Sequence, residues 1–487
     1  MKKIKKYIPS LIAAIIIIFT IYVSNRIYNA SFEQYIYSLL KSQGTSSTSL
    51  VNGIFYIGIG VLILFPLLIL PIIDFNKSIT IKFKIKGEKK ERQILPIKNI
   101  KKYNIVIIII SIFYLAYGIG FFEFIKNSLM ETDLFKKYYV TPENVQIEFP
   151  DNKKNLIYIF LESTETTNFS EKNGGIFEES IMPNLEKLAL NNINFSNTNL
   201  LGGAQESYGT GWTVAAMIAQ TSGIPLKIKA NDYDVSSTNF NNITTIGDIL
   251  EENGYNNYLL LGSDANFGGR KNYFNNHGYE ISDYHTAVEE GKIDEDYFVW
   301  WGYEDSKLFD YAKEKLLEIS KEDEPFNLTM LTADTHFTDG YLDSSCNEVF
   351  EEDYSNSFYC SDNMIYNFIN WIKNQEFYED TVIILVGDHP TMQQNFYEIE
   401  EGYTRTVFNT FINTGIKTAN NKNRTFTTMD MFPTTLAALG AQIEGNRLGL
   451  GTNLFSDKQT IPEEISIEKF NDELKKQSDY YYDYIRG

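Results

Sequence analysis

The sequence predicts an α/β fold, a doubly wound and mostly parallel sheet flanked by helices, joined to an N-terminal helical membrane anchor. Two observations support this prediction. From residue 155 onward, apolar strand-like runs alternate with helical patterns, which is typical of a parallel sheet covered by helices. Before that point, three long runs lack any charged residue. The 487 residues can hold one large domain and an accessory part.

The membrane anchor is predicted within residues 1–125. Its three apolar runs, at 9–25, 52–73 and 104–122, each approach or meet the ~20 residues that a transmembrane helix needs. A cleaved signal peptide is the alternative for the first run, because MKKIKK looks like the basic start of such a peptide. The length of the run and the lack of a clear A-x-A cleavage site favour a membrane span.

Basic residues predict the orientation of the spans. Four lysines precede the first span and ten basic residues lie in the loop 75–103, whereas the segment 26–51 has only Arg26 and Lys41. Because Lys-rich and Arg-rich loops stay in the cytoplasm, three spans would place everything after about residue 123 outside the membrane.

Charge divides the chain at the same place. Residues 1–125 carry 16 Lys and Arg against 5 Asp and Glu, a net +11, and the remaining 27 basic and 58 acidic residues give −31. An acidic outer part binds nucleic acid poorly, so no nucleic-acid partner is expected. Most of these acids are interpreted as a solvated surface, and the basic inner loop either meets anionic lipid headgroups or only sets the topology.

The outer part divides into a linker at 126–152, a main α/β domain at 153–456 and an acidic, Tyr-rich tail at 457–487 that packs as a helix or trails in solvent. Strands are predicted at 155–161, 192–196, 256–262, 326–332, 381–386 and 407–412. Helices are predicted at 182–191, 212–221, 244–253, 304–320, 361–374 and 429–439.

Both cysteines of the chain, Cys346 and Cys360, fall in the exported part. An oxidising compartment would allow a disulfide between them. Their flanks show neither a C-x-x-C motif nor metal-ligand spacing, and two free thiols are the alternative.

Three of the predicted strands end in polar residues that suit a metal or a phosphate. They are NLIYIFLES, which contains Glu162, FNLTMLTADTH, which ends at His336, and TVIILVGDH, which ends at Asp388 and His389. Sites in open α/β sheets form outside the carboxyl ends of strands. A carboxylate beside an imidazole suits Mn²⁺ or Zn²⁺. Taken singly, Glu162 is more simply a strand-end acid, and Asp388 and His389 are as well explained as a turn aspartate and a capped histidine.

Thr213 is the candidate nucleophile. The Gly-rich turn GTGWT delivers it to the start of an apolar, Ala-rich helix, where free N–H groups can bind an anionic phosphorus group. A free hydroxyl is a weak nucleophile, and coordination to a metal can activate it. The alternative is an ordinary N-cap threonine, so the convergence of four chain segments is what favours an active site.

Other candidates accompany this set. Two glycines before Arg270 allow close approach to a ligand, and a guanidinium pairs well with phosphate oxygens, although a surface arginine is the alternative. His336 could hold a phosphate oxygen or protonate a leaving group. Four aromatic residues could line a ligand pocket, although core packing is more common for aromatic side chains: Tyr208, Trp212, Trp300 and Trp301.

Five motifs in a fixed order go beyond generic chemistry: FLES, GTGWTVAAMIAQTSGIPL, FGGRKNYFNNHGY, ADTHFTDGYL and VGDH. This set resembles the phosphoglycerol transferases of periplasmic glucan synthesis, relatives of the lipoteichoic acid synthases in the sulfatase/alkaline-phosphatase superfamily. The resemblance covers roughly residues 155–455. The GWT helix and the THFTDG segment are its specific parts, since FLES and GDH alone mark only the superfamily.

The resemblance implies a multi-pass enzyme of a bacterial cytoplasmic membrane that takes phosphoglycerol from phosphatidylglycerol through a covalent phospho-threonine and passes it to an envelope glycan. It implies one divalent metal, Mn²⁺ or Mg²⁺ in preference to Zn²⁺, on Glu162, Thr213, Asp388 and His389, with Thr213 as the nucleophile. It implies that Arg270 and His336 hold the phosphoglycerol, and Trp212 is a further substrate-binding candidate. It also implies a disulfide between Cys346 and Cys360.

Two departures refine the resemblance. Gly268 stands where lipoteichoic acid synthases have a tryptophan, which favours the glucan-modifying branch. The C-x-P-x-R nucleophile motif of sulfatases is absent, so cleavage of sulfate esters is not expected. A phosphoethanolamine transferase and a catalytically silent membrane regulator are the alternatives, and the intact metal-ligand set argues against the silent regulator.

Overall fold

A computed structural model of the chain describes residues 4–26, 30–40, 47–73, 80–85, 88–93, 99–228, 240–418 and 420–486. The chain forms two compact units. Unit 1 comprises residues 1–32 and 46–124, and unit 2 comprises residues 33–45 and 125–487. The short segment 33–45 therefore belongs to the unit that holds the candidate site residues, although it lies between two apolar runs of the sequence.

The described residues of the N-terminal part form helices and an antiparallel pair of strands: α1 (Ile8–Arg26), α2 (Phe32–Leu40), α3 (Ser47–Ile69), β1 (Thr80–Ile85), β2 (Glu88–Gln93), α4 (Ile100–Gly118) and α5 (Phe121–Ser128). Within unit 1, α1 packs against α3 and α4. Two helices in the described residues are long and apolar enough to cross a membrane, Gly53–Ile72 and Ile100–Gly118, whereas the apolar stretch of α1 is shorter. Two of the three predicted spans thus reach the required length.

The strands of unit 2 are β3 (Ile147–Glu148), β4 (Asn155–Leu161), β5 (Asn256–Leu261), β6 (Tyr279–Ser282), β7 (Phe326–Leu331), β8 (Thr381–Gly387), β9 (Asn409–Ile412), β10 (Gln442–Ile443), β11 (Arg447–Leu448) and β12 (Gly451–Thr452). Six of them form the main sheet in the order β6-β5-β7-β4-β8-β9. All neighbours in this sheet are parallel except β8 and β9, which are antiparallel. The predicted mostly parallel sheet is confirmed, with one antiparallel edge.

The helices of unit 2 beyond α5 are α6 (Leu134–Tyr138), α7 (Pro183–Asn191), α8 (Thr213–Ser222), α9 (Ile246–Glu252), α10 (Arg270–Asn276), α11 (Tyr284–Glu289), α12 (Asp305–Ile319), α13 (Asp353–Ile372), α14 (Met431–Ala438), α15 (Ile461–Ile465) and α16 (Ile467–Leu474). Every residue of β7 and β8 is buried. Parallel strands covered on both faces are continuous apolar runs, which explains why the sequence predicts these strands with nearly correct bounds.

Two predicted elements differ from the structure. Residues 192–196 do not form a strand: Ile193 makes an isolated bridge to Phe411, while the N–H of Phe195 donates to the side chain of Asn409. At Phe195 a side-chain oxygen thus takes the place of the backbone carbonyl that would accept this hydrogen bond in a β-sheet. Helix α13 begins eight residues before the predicted start, at Asp353, because the Glu352 carboxylate caps it by accepting from the backbone N–H of Ser355.

The predicted linker and tail are both packed parts of unit 2. In the segment 126–152, Phe135 of α6 is fully buried, and β3 pairs with β10. In the tail, Tyr481 is also fully buried, and its ring centroid lies 4.9 Å from that of Phe135. The two segments therefore pack on each other through a few large apolar side chains. Both segments are mostly polar, so their composition does not show that these side chains are buried.

Candidate active site

The ends of strands β4 and β8 bring Glu162, Asp388 and His389 together. The two strands are parallel neighbours, and these residues follow their last paired positions. One ligand-type atom from each residue lies within 4.8 Å of the others, and all three side chains are buried. The hydroxyl oxygen of Thr213 lies 3.2 Å from Oε2 of Glu162 and 3.4 Å from Nε2 of His389. The structure thus assembles the four predicted metal ligands.

Thr213 is not the N-cap of its helix. It is the first residue of α8, and the cap position belongs to Trp212, whose side chain makes no capping hydrogen bond. An N-cap hydroxyl would accept from a backbone N–H, whereas the Thr213 hydroxyl is directed at Glu162 and His389. This geometry favours the nucleophile interpretation over the cap.

The donor set at this cluster fits a divalent cation. Nδ1 of His389 lies 2.9 Å from the carbonyl oxygen of Pro390, so Nδ1 carries the proton and Nε2 presents a lone pair. That nitrogen lies 3.3 Å from Oδ2 of Asp388 and 3.7 Å from Oε1 of Glu162. Oδ2 of Asp388 is buried and accepts no hydrogen bond from any residue that the structure describes. The lone pairs of these three side chains converge on one point, as the ligands of a hard or borderline metal ion do. The cluster is therefore a candidate divalent metal site.

Neighbouring groups hold the two carboxylates in place. The backbone N–H of Ser163 donates to Oδ1 of Asp388 at 2.8 Å, and the Ser163 hydroxyl donates to Oε1 of Glu162 at 2.7 Å. The N–H of His389 also donates to Oδ1 of Asp388, at 2.7 Å. Such outer contacts orient metal ligands. Ser163 is not among the residues that the sequence predicts, and its only signal is its place directly after Glu162 in FLES.

Burial and mutual charge set the protonation of the cluster. Burial raises the pKa of Asp388, and the charge of Glu162 raises it further. Burial alone would raise the pKa of Glu162, but His336 and His389 when they are protonated, together with hydrogen bonds from Ser163 and Thr213, lower it overall. Burial alone would lower the pKa of His389, but the two carboxylates raise it. Asp388 is therefore hard to ionise beside Glu162, and a bound cation would favour its charged form.

Arg270 is buried beside this cluster and is not a surface arginine. Its Nε donates to the carbonyl oxygen of Phe267 at 3.1 Å, and its Nη2 donates to that of Asp264 at 2.8 Å. Burial lowers its pKa to about 10, so it remains a cation at neutral pH, and it interacts electrostatically with Glu162. Nη1 is the guanidinium nitrogen that these contacts leave for an anionic ligand.

The turn before Arg270 lies against the helix of Thr213. Gly268 has a φ of +67°, and a Cβ at this position would meet Cγ2 of Val214 at 3.1 Å. A large side chain such as tryptophan would therefore require a shift here. The turn that leads into α10 therefore lies against the first turn of α8.

His336 presents a hydrogen-bond acceptor to the site. Its Nδ1 lies 2.6 Å from the carbonyl oxygen of Phe337, so Nδ1 carries the proton of the neutral ring and Nε2 is left as an acceptor. Burial lowers its pKa, although the charge of Glu162 opposes this. Its ring centroid lies 4.5 Å from that of Trp301. A neutral His336 suits a hydroxyl donor better than a phosphate oxygen.

The aromatic candidates split between packing and the site. Trp212 is buried, and its indole N–H has no partner among the described residues. The indole N–H groups of Trp300 and Trp301 are likewise buried without a partner in the described chain. Of these residues, Trp212 directly precedes Thr213, and the ring of Trp301 lies beside that of His336.

The two cysteines are joined as a disulfide in the structure, with 5.7 Å between their Cα atoms. Cys360 lies within α13, and Cys346 lies in the segment between β7 and α13, which also contains His336. The bond therefore closes the far end of that segment.

Comparisons with known proteins assign the chain to a family. The sulfatase family profile matches residues 154–441. Phosphoglycerol transferase I from Escherichia coli O6:K15:H31 is 31% identical over 383 aligned positions, which cover 73% of this chain and 47% of that protein. Phosphoglycerol transferase I from two further strains of that species matches with the same identity and coverage. The chain spans about half the length of the curated relatives it matches.

Two solved structures of low sequence identity also match this chain. The integral membrane protein lipooligosaccharide phosphoethanolamine transferase A from Neisseria meningitidis matches with a TM-score of 0.51 and 14% identity, over 91% of this chain and 85% of that chain. The lipoteichoic acid synthase LtaP from Listeria monocytogenes matches with a TM-score of 0.48 and 20% identity, over 65% of this chain and 82% of that chain.

The profile match covers more than half of the chain and contains every residue of the candidate metal cluster. Two helices in the described residues are long and apolar enough to cross a membrane. The chain belongs to the sulfatase family, as a member of the sulfatase/alkaline-phosphatase superfamily related to phosphoglycerol transferase I.

Proposed function

We propose that this chain is a membrane-anchored, metal-dependent transferase that moves phosphoglycerol from phosphatidylglycerol to an extracytoplasmic glycan. The observation that carries the proposal is the Thr213 hydroxyl, which lies at the start of α8 and 3.2 Å from the Glu162 carboxylate. The 31% sequence identity to Escherichia coli phosphoglycerol transferase I supports the choice of phosphoglycerol as the transferred group.

Glu162, Thr213, Asp388 and His389 would hold one divalent ion, Mn²⁺ or Mg²⁺. When bound, this ion would make the Thr213 oxygen a better nucleophile at neutral pH and offset the charge of the phosphoryl group. Glu162 and Asp388 supply the negative charge that retains the ion, and Nε2 of His389 supplies a nitrogen donor in the tautomer that Pro390 fixes.

In the first step, the Thr213 oxygen attacks the phosphorus of phosphatidylglycerol, and its proton passes to solvent. The bond from phosphorus to the diacylglycerol oxygen breaks, and that oxygen takes up one proton as diacylglycerol leaves. Phosphoglycerol is then esterified to Thr213. The guanidinium of Arg270 pairs with the non-bridging oxygens, and the free N–H groups of the first turn of α8 share the remaining charge.

In the second step, a hydroxyl of the acceptor glycan attacks the phosphorus and the bond to Thr213 breaks. Nε2 of His336 accepts the proton of that hydroxyl, because the neutral ring keeps its own proton on Nδ1. His336 then releases that proton to solvent, Thr213 takes up a proton from solvent, and the glycan leaves with phosphoglycerol attached.

The test uses the purified full chain in detergent with labelled phosphatidylglycerol. We expect diacylglycerol release with Mn²⁺ or Mg²⁺, none with EDTA, and recovery when the metal is restored. Thr213→Ala should fold and lose at least ~10³-fold in turnover, whereas Thr213→Ser, which keeps a hydroxyl, should retain part of it. Without acceptor, mass spectrometry should find phosphoglycerol on the peptide that contains Thr213.

Two results would contradict the proposal. Full activity after thorough chelation would exclude the metal, and near-normal turnover by Thr213→Ala would exclude the nucleophile. A parallel assay with labelled phosphatidylethanolamine tests the alternative donor. Turnover of that lipid alone would make the chain a phosphoethanolamine transferase.

A further inference from the structure

We propose that helix α2 is a structural part of the active site and that Tyr37 is a positioning residue for Arg270 and Thr213. The inference rests on the proposed function, because it concerns how the phosphoglycerol group of the donor is held. Helix α2 lies between two apolar helices in the sequence, far from the motifs of the main domain, yet the segment 33–45 belongs to unit 2.

One face of α2 is buried against unit 2. Glu33, Gln34 and Tyr37 are 4%, 8% and 4% exposed, and their spacing places them on the same side of a helix. The Tyr37 hydroxyl donates to the carbonyl oxygen of Gly268, two residues before Arg270. The Tyr37 ring centroid lies 6.1 Å from that of Trp212, which directly precedes Thr213.

The other two side chains on this face reach further segments around the site. Nε2 of Gln34 donates to the sulfur of Met392 at 2.9 Å, three residues after His389. Glu33 interacts electrostatically with buried Lys227, in the segment that follows α8. Helix α2 thus contacts the chain close to three of the candidate site residues.

The contact at Gly268 fixes a turn that has little rigidity of its own. Gly268 and Gly269 have φ values of +67° and +79°, a left-handed pair that glycine adopts without strain and that leaves the backbone many alternatives. Arg270 follows immediately as the first residue of α10. With Val214 of α8 on one side of Gly268 and Tyr37 bound to its carbonyl, the turn is clamped between two helices.

In this proposal the clamp holds the Arg270 guanidinium in one position relative to Thr213. Without the hydrogen bond from Tyr37, the turn can adopt other conformations and the position of the guanidinium becomes less well defined. The binding of a phosphate ester should then weaken, while the rate of the bound complex changes little.

The experiment compares the full-length wild type with Tyr37→Phe, which removes one hydroxyl and keeps the ring on Trp212. The control is Tyr35→Phe, which removes a hydroxyl from a half-buried neighbour on the same helix. Calorimetry with glycerol phosphate in the presence of Mn²⁺ gives Kd without catalysis, and turnover of phosphatidylglycerol gives KM and kcat. Thermal unfolding of each variant reports stability.

We expect Tyr37→Phe to raise Kd and KM about fivefold, as for the loss of one buried neutral hydrogen bond, with kcat within about twofold of wild type. Tyr35→Phe should match wild type in all three. Unchanged Kd and KM, or a lower melting temperature with unchanged Kd, would overturn the proposal. So would a wild type that does not bind glycerol phosphate. A wild type that binds it but leaves phosphatidylglycerol intact would contradict the proposed donor, and the Kd comparison would still decide about Tyr37.

Discussion

At the scale of one residue, burial changes the pKa of Lys227. Its side chain is 3% exposed, and its ammonium group donates to the carbonyl oxygen of Lys476 at 2.5 Å. It also lies over the rings of Phe135 and Tyr481, 5.4 Å and 5.8 Å from their centroids. Burial lowers the pKa of Lys227 to about 7, and the charge of Glu33 only partly opposes this.

This lowered pKa predicts a pH dependence of stability. Between pH ~7 and the ordinary lysine pKa of ~10.4, the unfolded chain holds the proton and the folded chain does not. The free energy of unfolding should therefore rise with pH across this window. Lys227→Met removes the titrating group and should flatten the rise. Thermal unfolding of the detergent-solubilised chain from pH 7 to 10 measures it.

The control for this prediction is Lys187→Met, since Lys187 is exposed. It should keep the wild-type slope. A Lys227→Met variant with the wild-type slope would contradict the lowered pKa.

At the scale of elements, the disulfide ties the connection after β7 to helix α13. Cys360 is 2% exposed in the helix, and Cys346 lies 14 positions earlier in the chain. A covalent bond restricts the unfolded chain, and a loop of this size gives ~3 kcal/mol of stabilisation in the chain-entropy treatment.

Replacing both cysteines by serine should therefore lower stability by ~3 kcal/mol and reduce the yield of folded protein more than the activity of each folded molecule. Differential melting of wild type and the double variant measures the first effect. Intact mass spectrometry without reductant should find wild-type Cys346 and Cys360 joined. Alkylation of both thiols in unreduced protein would contradict the bond.

At the scale of the whole molecule, charge and hydropathy separate the two parts of the chain. The first 125 residues carry a net +11 and the remainder −31. Basic loops are retained in the cytoplasm, and the proposed donor lipid and glycan acceptor require the acidic part to lie outside.

Reporter fusions test this orientation. An alkaline phosphatase fused after residue 140 should be active, because it would be exported, and one fused within residues 80–95 should be inactive. The reverse pattern would contradict the orientation. A cytoplasmic reporter such as a fluorescent protein, fused at the same positions, should give the complementary result.

Much of the fold and of the candidate site could be predicted from local sequence. Strands β4, β7 and β8 are continuous apolar runs because both of their faces are buried. Their polar ends identify Glu162, His336, Asp388 and His389 as candidates, since parallel strands bring their carboxyl ends to one edge. Thr213 is likewise identified by its neighbours in the sequence, because a Gly-rich turn precedes it and an Ala-rich helix follows it.

The tertiary structure alone decided the rest. The antiparallel edge strand β9, the packing of Phe135 on Tyr481 and the contact of Tyr37 with Gly268 each join residues far apart in the chain. Local periodicity records which side chains are buried but not which distant segment covers them. Hydrogen bonds that fix the tautomers of His336 and His389 depend on backbone carbonyls whose directions exist only in the folded chain.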